Sequence, residues 1–546
     1  MISFLQTIII FLINGTSVLR FYQIKDYIYK RVIAQFYFPS SKKIIFNKKE
    51  YFIYLLILLS LFFINNIHFL IRTDFLIFLI SIFLLFRVSL IKKIHFTLKA
   101  VFILLFSSIF NFYILQISSN NLTVFFILCL WPVQFYVYTL SIKIFNLIIK
   151  PYLQILAYQV KIKISKIKQI NPYFKIIGIC GSYGKSSTKE ILIELLKQKY
   201  KVLSPPARIN HEYALIKFLL KTKIENYDYL ILEFGSYYLG NIKWISKFLT
   251  PEVVYITGIT KQHLFLFGSI EKIIEGEGLE ILTWMKKGIV FINNNHEYFQ
   301  IFEEKYEKLK TPEIKDYFYG KNYKILDINI DEKTAFFEFN QQTFQTNLIF
   351  PMQIENLVGA LSYIALIDNL EDYREKIKNI DLPEGFLKLK ITDISGLKHG
   401  LRWTLFSKLN EPEKDETINV SSKSVFYIFN DSYNANPKGV FDSLDFFKKL
   451  NFNFKIIVFN GLLELGKETK NVYQDLAKEF SAFNEIILTS SDFIEIFKEV
   501  LKDKFLVVKN SKELEIFLQS LKFKKVGIWI FNRFPSSFEN NLYLKE

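Results

Sequence analysis

The stretch Lys175 to Leu196, KIIGICGSYGKSSTKEILIELL, holds residues suited to gripping an anion. A short apolar run (Ile176, Ile177, Ile179) leads into Gly181-Ser182-Tyr183-Gly184-Lys185-Ser186-Ser187. Ile191, Leu192, Leu195 and Leu196 then recur on one face of a helical pattern. Strand, glycine turn and helix N-terminus is the order that cradles phosphate. Glycines let the backbone close on the anion, free N–H groups and the helix dipole attract it, and the lysine adds a point charge. The Ser186 hydroxyl would serve Mg2+. Five residues separate Gly178 from Gly184, where a strict P-loop has four. The plain alternative is a glycine turn between a buried strand and a helix.

Two further residues fall where such a loop needs them. Tyr229-Leu230-Ile231-Leu232 reads as a buried strand that ends at Glu233. Val253 to Ile256 reads as another, followed by Thr257-Gly258-Ile259-Thr260 and then His263. Alternating strands and helices imply a mainly parallel sheet, with ligands bound at the carboxyl ends of its strands. Glu233 and His263 lie just past two such ends, as the loop does, and are candidate Mg2+ ligands. Oxygen is the harder ligand and imidazole the less usual one. Each alone reads as a surface carboxylate or a loop histidine; convergence with the loop selects them.

The elements that must position these groups divide the chain into four segments. Residues 1–150 read as a membrane region, 151–170 as a basic linker, 171–380 as a nucleotide domain and 381–546 as a second α/β domain. The chain's 546 residues exceed what one core accommodates. Charge is uneven: residues 1–170 hold 19 Lys/Arg against 3 Asp/Glu, almost all of the net +17. Five apolar stretches, about 2–19, 51–71, 75–91, 98–118 and 122–148, approach bilayer length. The lysine- and arginine-rich connections would then lie inside. This predicts about five transmembrane helices in the inner membrane, a lipid bilayer as partner, and both α/β domains in the cytoplasm. It argues against nucleic-acid binding. Cys129 and Cys180 form neither a disulfide framework nor a metal cluster.

In the last third, Val425–Phe429, Lys455–Phe459, Glu485–Leu488, Phe505–Val508 and Val526–Phe531 are short apolar runs separated by helical patterns. That is again a doubly wound α/β unit. Asp431-Ser432-Tyr433-Asn434-Ala435-Asn436-Pro437 follows a strand directly, and its small polar residues suit a turn reaching toward a ribose or substrate.

These strings together resemble the Mur ligases. GICGSYGKSSTKEIL is similar to the family's ATP loop, and the family explains the shifted glycine spacing. ILEFGSYYLGNI and YITGITKQHLFLFGSIEKI resemble the segments that follow the loop, and NGLLELGKET resembles a later one. FNDSYNANPKGVFDSL is similar to the string typical of the MurF-type branch, which adds D-alanyl-D-alanine to a UDP-linked muramoyl tripeptide. The resemblance runs from about residue 171 to the C-terminus. It implies a central P-loop-type parallel-sheet domain and a C-terminal Rossmann-like α/β domain. By it, Lys185 contacts the ATP phosphates, Ser186 and Glu233 coordinate Mg2+, and His263 helps hold a second metal ion. Glu277 stands where the family commonly carries a carbamylated lysine. Gly181, Ser182, Gly184, Ser187, Asn356, Asp431, Tyr433, Asn434 and Asn436 fall in its nucleotide-binding segments, and Asn210 and His211 in a substrate-positioning one.

Departures accompany the matches. Gly258 stands for a family asparagine, Gln262 for an alanine, and Phe386 for an arginine. Pro351-Met352-Gln353-Ile354-Glu355-Asn356 keeps only the last residue of its counterpart. The implied reaction is ATP-dependent amide formation through an acyl phosphate, on a small-molecule or lipid-linked cell-wall precursor. The alternatives are a nucleotide-binding membrane scaffold without ligase activity, a poly-γ-glutamate-synthetase-like ligase, and an ATP-driven transporter.

Overall fold

The structure is a computed structural model. It describes residues 97–117, 131–206, 209–383, 386–393, 425–431, 435–462, 465, 468–490, 492–502, 504–508, 511–521 and 523–531. Two compact units divide the chain, Met1–Ile155 and Leu156–Glu546. In the first, helix α1 (Leu98–Ile117) and the first turns of α2 (Trp131–Ile170) are described. Lys99 Nζ donates to Asn146 Oδ1 at 3.1 Å, and the Phe102 and Phe145 rings meet at 5.2 Å.

The second unit is built on two six-stranded sheets and one of three strands. The first sheet contains β1 (Lys175–Cys180), β2 (Val202–Leu203), β3 (Tyr229–Glu233), β4 (Val253–Ile256), β5 (Gly288–Asn293) and β6 (Ile314–Tyr319), in the order β2-β3-β1-β4-β5-β6. All of its pairings are parallel. Its strands are apolar on both sides because both faces are covered. Ile176, Cys180, Leu230, Leu232, Val254 and Ile256 pack on one side, beneath α4 (Glu212–Lys221) and the last turns of α2. Ile177, Ile179, Ile231, Val253 and Tyr255 pack on the other, beneath α3 (Lys185–Leu196) and α5 (Pro351–Ile367).

An antiparallel meander follows, of β7 (Tyr323–Asn329), β8 (Thr334–Phe339) and β9 (Gln342–Thr346). The last sheet has the order β10-β11-β15-β12-β13-β14. Its strands are β10 (Lys388–Asp393), β11 (Val425–Asp431), β12 (Phe454–Phe459), β13 (Glu485–Leu488), β14 (Phe505–Val507) and β15 (Lys525–Phe531). It is parallel except for β10, which pairs antiparallel with β11. The expected α/β architecture with parallel sheets is therefore observed.

The expected multi-pass location is corrected. Among the described residues one segment of 35 residues, Tyr136–Ile170, is long and apolar enough to cross a membrane, its apolar 18-residue window having a mean hydropathy of 1.3. That is weak support for any crossing, because a core helix passes the same test. The final turns of α2 behave as a core helix. Ala157, Val160, Ile164 and Ile167 are buried against the first sheet. The lysines expected to mark a membrane's inner face instead dock this helix on the body. Lys163 donates to the carbonyls of Leu219 and Thr222 at the end of α4, where the helix dipole favours a cation. Lys168 pairs with Glu252. The stretches at 2–19, 51–71 and 75–91 lie outside the described residues.

One aromatic side chain fastens the last sheet to the rest. Phe350, just before α5, is 3% exposed and inserts among Phe429, Phe446 and Trp529, with ring centroids 5.8 to 6.1 Å away. Gln353 Nε2 donates to Leu387 O nearby at 2.8 Å. Truncating a fully enclosed phenylalanine removes its buried area and leaves a cavity, so Phe350→Ala should lower the unfolding free energy by about 3–5 kcal/mol. Urea denaturation measures this, and a loss below about 1 kcal/mol would contradict the packing described.

Candidate active site

The strand register sets the geometry. Ile179 lies opposite Glu233, and Cys180 opposite Ile256, so the loops after β1, β3 and β4 leave the sheet at one level. Strand order also reverses around β1, the position at which open parallel sheets bind ligands. The glycine loop spans that crevice and ends at Gly184, which caps α3 in the left-handed region at φ 78°. A Cβ on Gly184 would lie 2.9 Å from Asn356 Oδ1. The same Asn356 Oδ1 accepts from Thr188 Oγ1 at 3.4 Å, so the first turns of α3 and α5 meet behind the loop.

The expected residues gather around this loop. Ser186 Oγ donates to Glu233 Oε2 at 2.9 Å, and Asn210 Nδ2 donates to Glu233 Oε1 at 3.2 Å. Ser182 Oγ donates to Glu277 Oε2, whose other oxygen lies 2.5 Å from His263 Nδ1. Lys185 folds back on its own loop, donating to the carbonyls of Gly181 and Ser182. Ser187 stands in the first turn of α3. The His211 ring lies 5.1 Å from Tyr237, and Tyr237 stands edge-on to His263 at 5.4 Å. Glu233, His263, Glu277, Asn210 and His211 are thus brought together with the loop.

Glu277 is carried by a π turn, Ile274–Leu279, and is 2% exposed. The extra residue of such a turn re-aims a side chain, and these turns recur at functional sites. Its flanking glycines admit close neighbours. A Cβ on Gly276 would meet the Phe267 ring at 2.4 Å, and one on Gly278 the Phe302 ring at 3.1 Å.

The remaining expected residues are placed differently. Asp431 ends β11, and desolvation there pushes its carboxyl up to about 7. The Asn436 side chain caps helix α6 (Pro437–Lys449) by accepting from Gly439 N at 2.9 Å. Tyr433 and Asn434 lie outside the described residues.

Several residues with site geometry carry little signal in the sequence. Thr257 Oγ1 bonds the carbonyls of Cys180 and Tyr183, pinning the loop to the tip of β4. Glu355, buried and with its carboxyl raised by desolvation, accepts from Asn293 Nδ2 and Asn295 Nδ2, each at 2.6 Å. Just past β5 and at the last residue of β6, buried polar atoms have no hydrogen-bond partner: Asn294 Oδ1, both ring nitrogens of His296, and the Tyr319 hydroxyl. The Tyr183 hydroxyl in the loop is a further one. Burial pushes His296 down to about 4, so its imidazole is neutral near pH 7.

Comparison with known proteins places this geometry. Residues 179–364 match the Mur ligase middle domain. Over these residues, about a third of the chain, it is similar to the Mur-ligase superfamily, at low sequence identity to its relatives. A UDP-N-acetylmuramoyl-tripeptide–D-alanyl-D-alanine ligase of Borreliella burgdorferi is 28% identical over 362 residues, covering 64% of this chain and 70% of that protein. The same enzyme of Rickettsia prowazekii is 24% identical over 322 residues, covering 58% and 64%. This Mur-ligase-like chain thus spans about two thirds of the length of these relatives. Among solved structures, MurF from Acinetobacter baumannii aligns with a TM-score of 0.55 at 17% identity, covering 72% of this chain and 80% of that one. MurF from Thermotoga maritima in complex with ADP aligns with a TM-score of 0.54 at 20% identity, covering 70% and 80%. At such identities the two structures establish the fold alone.

Gly258 links the departure from the family pattern to the loop. It sits at φ 135°, and a Cβ there would fall 2.5 Å from Cζ and Oη of Tyr183. The tyrosine ring fills the space that any larger residue at 258 would need. Gly258→Ala should therefore destabilise the fold by about 2 kcal/mol, part of it from the backbone and part from the ring. In a Tyr183→Ala background the ring contribution disappears, giving a coupling energy of about 1–2 kcal/mol in a double-mutant cycle. Strict additivity would show that the ring does not occupy this space.

Proposed function

We propose that the protein is an ATP-dependent ligase that joins an amine to the carboxylate of a cell-wall precursor peptide, D-alanyl-D-alanine or a similar amine being the one added. The observation that carries this reading is the pair of hydrogen-bonded bridges on the glycine loop, Ser186 to Glu233 and Ser182 to Glu277 to His263. The amine and the acceptor rest on the resemblance of FNDSYNANPKGVFDSL and on the names of the relatives.

The residues present fit a magnesium nucleotide. A serine hydroxyl and a carboxylate 2.9 Å apart are hard oxygen donors. That composition suits Mg2+, which is commonly held through one or two carboxylates together with substrate phosphates. The partnerless buried atoms of Tyr183, Asn294, His296 and Tyr319 suit a polar ligand such as a nucleoside, since a buried polar group without a partner costs about 1–3 kcal/mol.

In this reading the backbone N–H groups of the loop and α3 receive the phosphates, and Lys185 exchanges the carbonyls it now touches for phosphate oxygens. Ser186 and Glu233 would hold Mg2+, which when bound neutralises charge on the phosphate oxygens. Asn210 braces Glu233, and Glu277 bridges the loop and the histidine. Asn210 and His211 line the side on which the precursor carboxylate becomes an acyl phosphate for the amine to attack. Phosphoryl transfer needs mainly position and electrostatic stabilisation, and a parallel-sheet edge supplies both.

The test is phosphate release by purified protein given ATP, Mg2+, muramoyl tripeptide and D-alanyl-D-alanine. We expect release that requires both peptides, and a loss of about a hundredfold or more in Lys185→Ala with its fold intact. Tight ATP binding with no turnover for any peptide acceptor would instead make the protein a nucleotide-binding scaffold.

A further inference from the structure

Glu355, near the start of α5, is a buried carboxylate gripped by amides. Asn293 Nδ2 donates to its Oε1 and Asn295 Nδ2 to its Oε2, each at 2.6 Å. Asn293 is committed on every side: its nitrogen also donates to Thr257 O at 3.0 Å, and its Oδ1 accepts from Asn295 N at 2.8 Å. An amide has two donor hydrogens and one oxygen, so this side chain cannot flip without breaking bonds at both ends. The backbone fits around it. Asn294 N donates to Tyr319 O at 2.8 Å, and Gly320, at φ 103°, leaves open the space that Asn293 Oδ1 occupies. The loop held in this way carries Asn294 Oδ1 and the two ring nitrogens of His296, all buried and without a partner. Tyr183 and Tyr319 add two such hydroxyls, which burial first and the Glu355 charge second keep protonated. The next residue of α5, Asn356, turns to the other loop, backing Gly184 and accepting from Thr188 Oγ1.

We infer that Glu355 is a positioning residue for the nucleoside half of a nucleotide: through the Asn293 and Asn295 amides it sets the loop after β5, while its neighbour Asn356 backs the glycine loop for the phosphates. The nucleotide itself rests on the ligase reading. Buried polar atoms without partners favour a ligand that brings donors and acceptors of its own, as a base and a ribose do. Their value depends on being held in place beforehand, because a loop ordered only on binding spends affinity on its own ordering. The glycine loop has separate supports in Thr257 Oγ1 and Asn356, so the two halves of the ligand can be weakened one at a time.

Titration calorimetry with ATP and with inorganic triphosphate, each with Mg2+, separates those halves. The variants are Glu355→Gln, Asn295→Asp and the two combined. Because Asn293 cannot flip, Glu355→Gln turns an NH2 group toward the Asn295 NH2, and Asn295→Asp sets two carboxylates face to face. Combined, the glutamine NH2 donates to the aspartate and the bridge is whole again. Asn295 is exposed, so Asn295→Asp keeps the fold even where Glu355→Gln loses it. Each single variant should weaken ATP by about tenfold or more, the worth of one hydrogen bond to a charged group, and leave inorganic triphosphate within about threefold of wild type. The combined variant should return ATP to within about threefold of wild type, since the two residues act as one pair. Parallel losses for both ligands overturn the inference, because a bridge that only supports the fold weakens both alike. So do ATP affinities unmoved by either single variant, or a combined variant as weak as the two losses added. A wild-type protein that binds inorganic triphosphate as tightly as ATP also overturns it, leaving the phosphate loop of the ligase reading intact. One that binds neither ligand overturns that reading, and this inference with it.

Discussion

Parallel pairing of β1 with β3 and β4 fixes everything at the site. Because Ile179 sits opposite Glu233 and Cys180 opposite Ile256, three loops emerge at one level around a crevice. Each brings a different chemical group: a glycine turn with a lysine, a carboxylate, and a histidine. A slip of one residue in either pairing would turn Ile177, Ile179 and Ile231 to the opposite face and withdraw the loops from one another. The core on both sides of the sheet therefore guards the site as much as the stability.

Around that frame, hydrogen bonds join the loops instead of leaving them independent. Thr257 and Gly258 at the tip of β4 hold the backbone of the glycine turn, and Glu277 joins its Ser182 to His263. Tyr183 closes over Gly258, and Asn356 backs Gly184. Preorganisation of this kind lowers what an incoming anion must spend on ordering the loop. The Asn293, Asn295 and Glu355 cluster adds a second polar shelf past the tip of β5, next to buried atoms that have no protein partner.

Much of this was legible in the residues. The glycine turn, the strand ending at Glu233 and the strand before His263 carry strong local signals, since buried parallel strands are short apolar runs. Glu277 is different. An inserted residue in a π turn breaks the 3.6-residue period, so IIEGEGLEIL reads as a helix, and the inward aim of its carboxylate is invisible without the fold. Glu355 has no motif of its own, and its burial follows from loops that arrive 60 residues earlier in the chain. The β7–β9 meander alternates apolar and polar residues in TAFFEF only weakly, so the central segment reads as simple strand–helix alternation. The stretch 151–170, read as a basic linker, is instead the end of a long helix, since hydropathy alone does not separate a helix that crosses a bilayer from one that packs on a sheet. The last turns of α2 bury Ala157, Val160, Ile164 and Ile167 while their lysines bind the body.

In the proposed ligase the turn ending at Lys185 receives a triphosphate whose metal ion lies between Ser186 and Glu233. Anomalous scattering from Mn2+ in crystals grown with a non-hydrolysable ATP analogue tests it most directly. A peak is expected within bonding distance of Ser186 Oγ and a Glu233 oxygen, with the terminal phosphate against the Gly181–Ser186 backbone. Phosphates bound elsewhere, or a metal peak remote from Glu233, would contradict it.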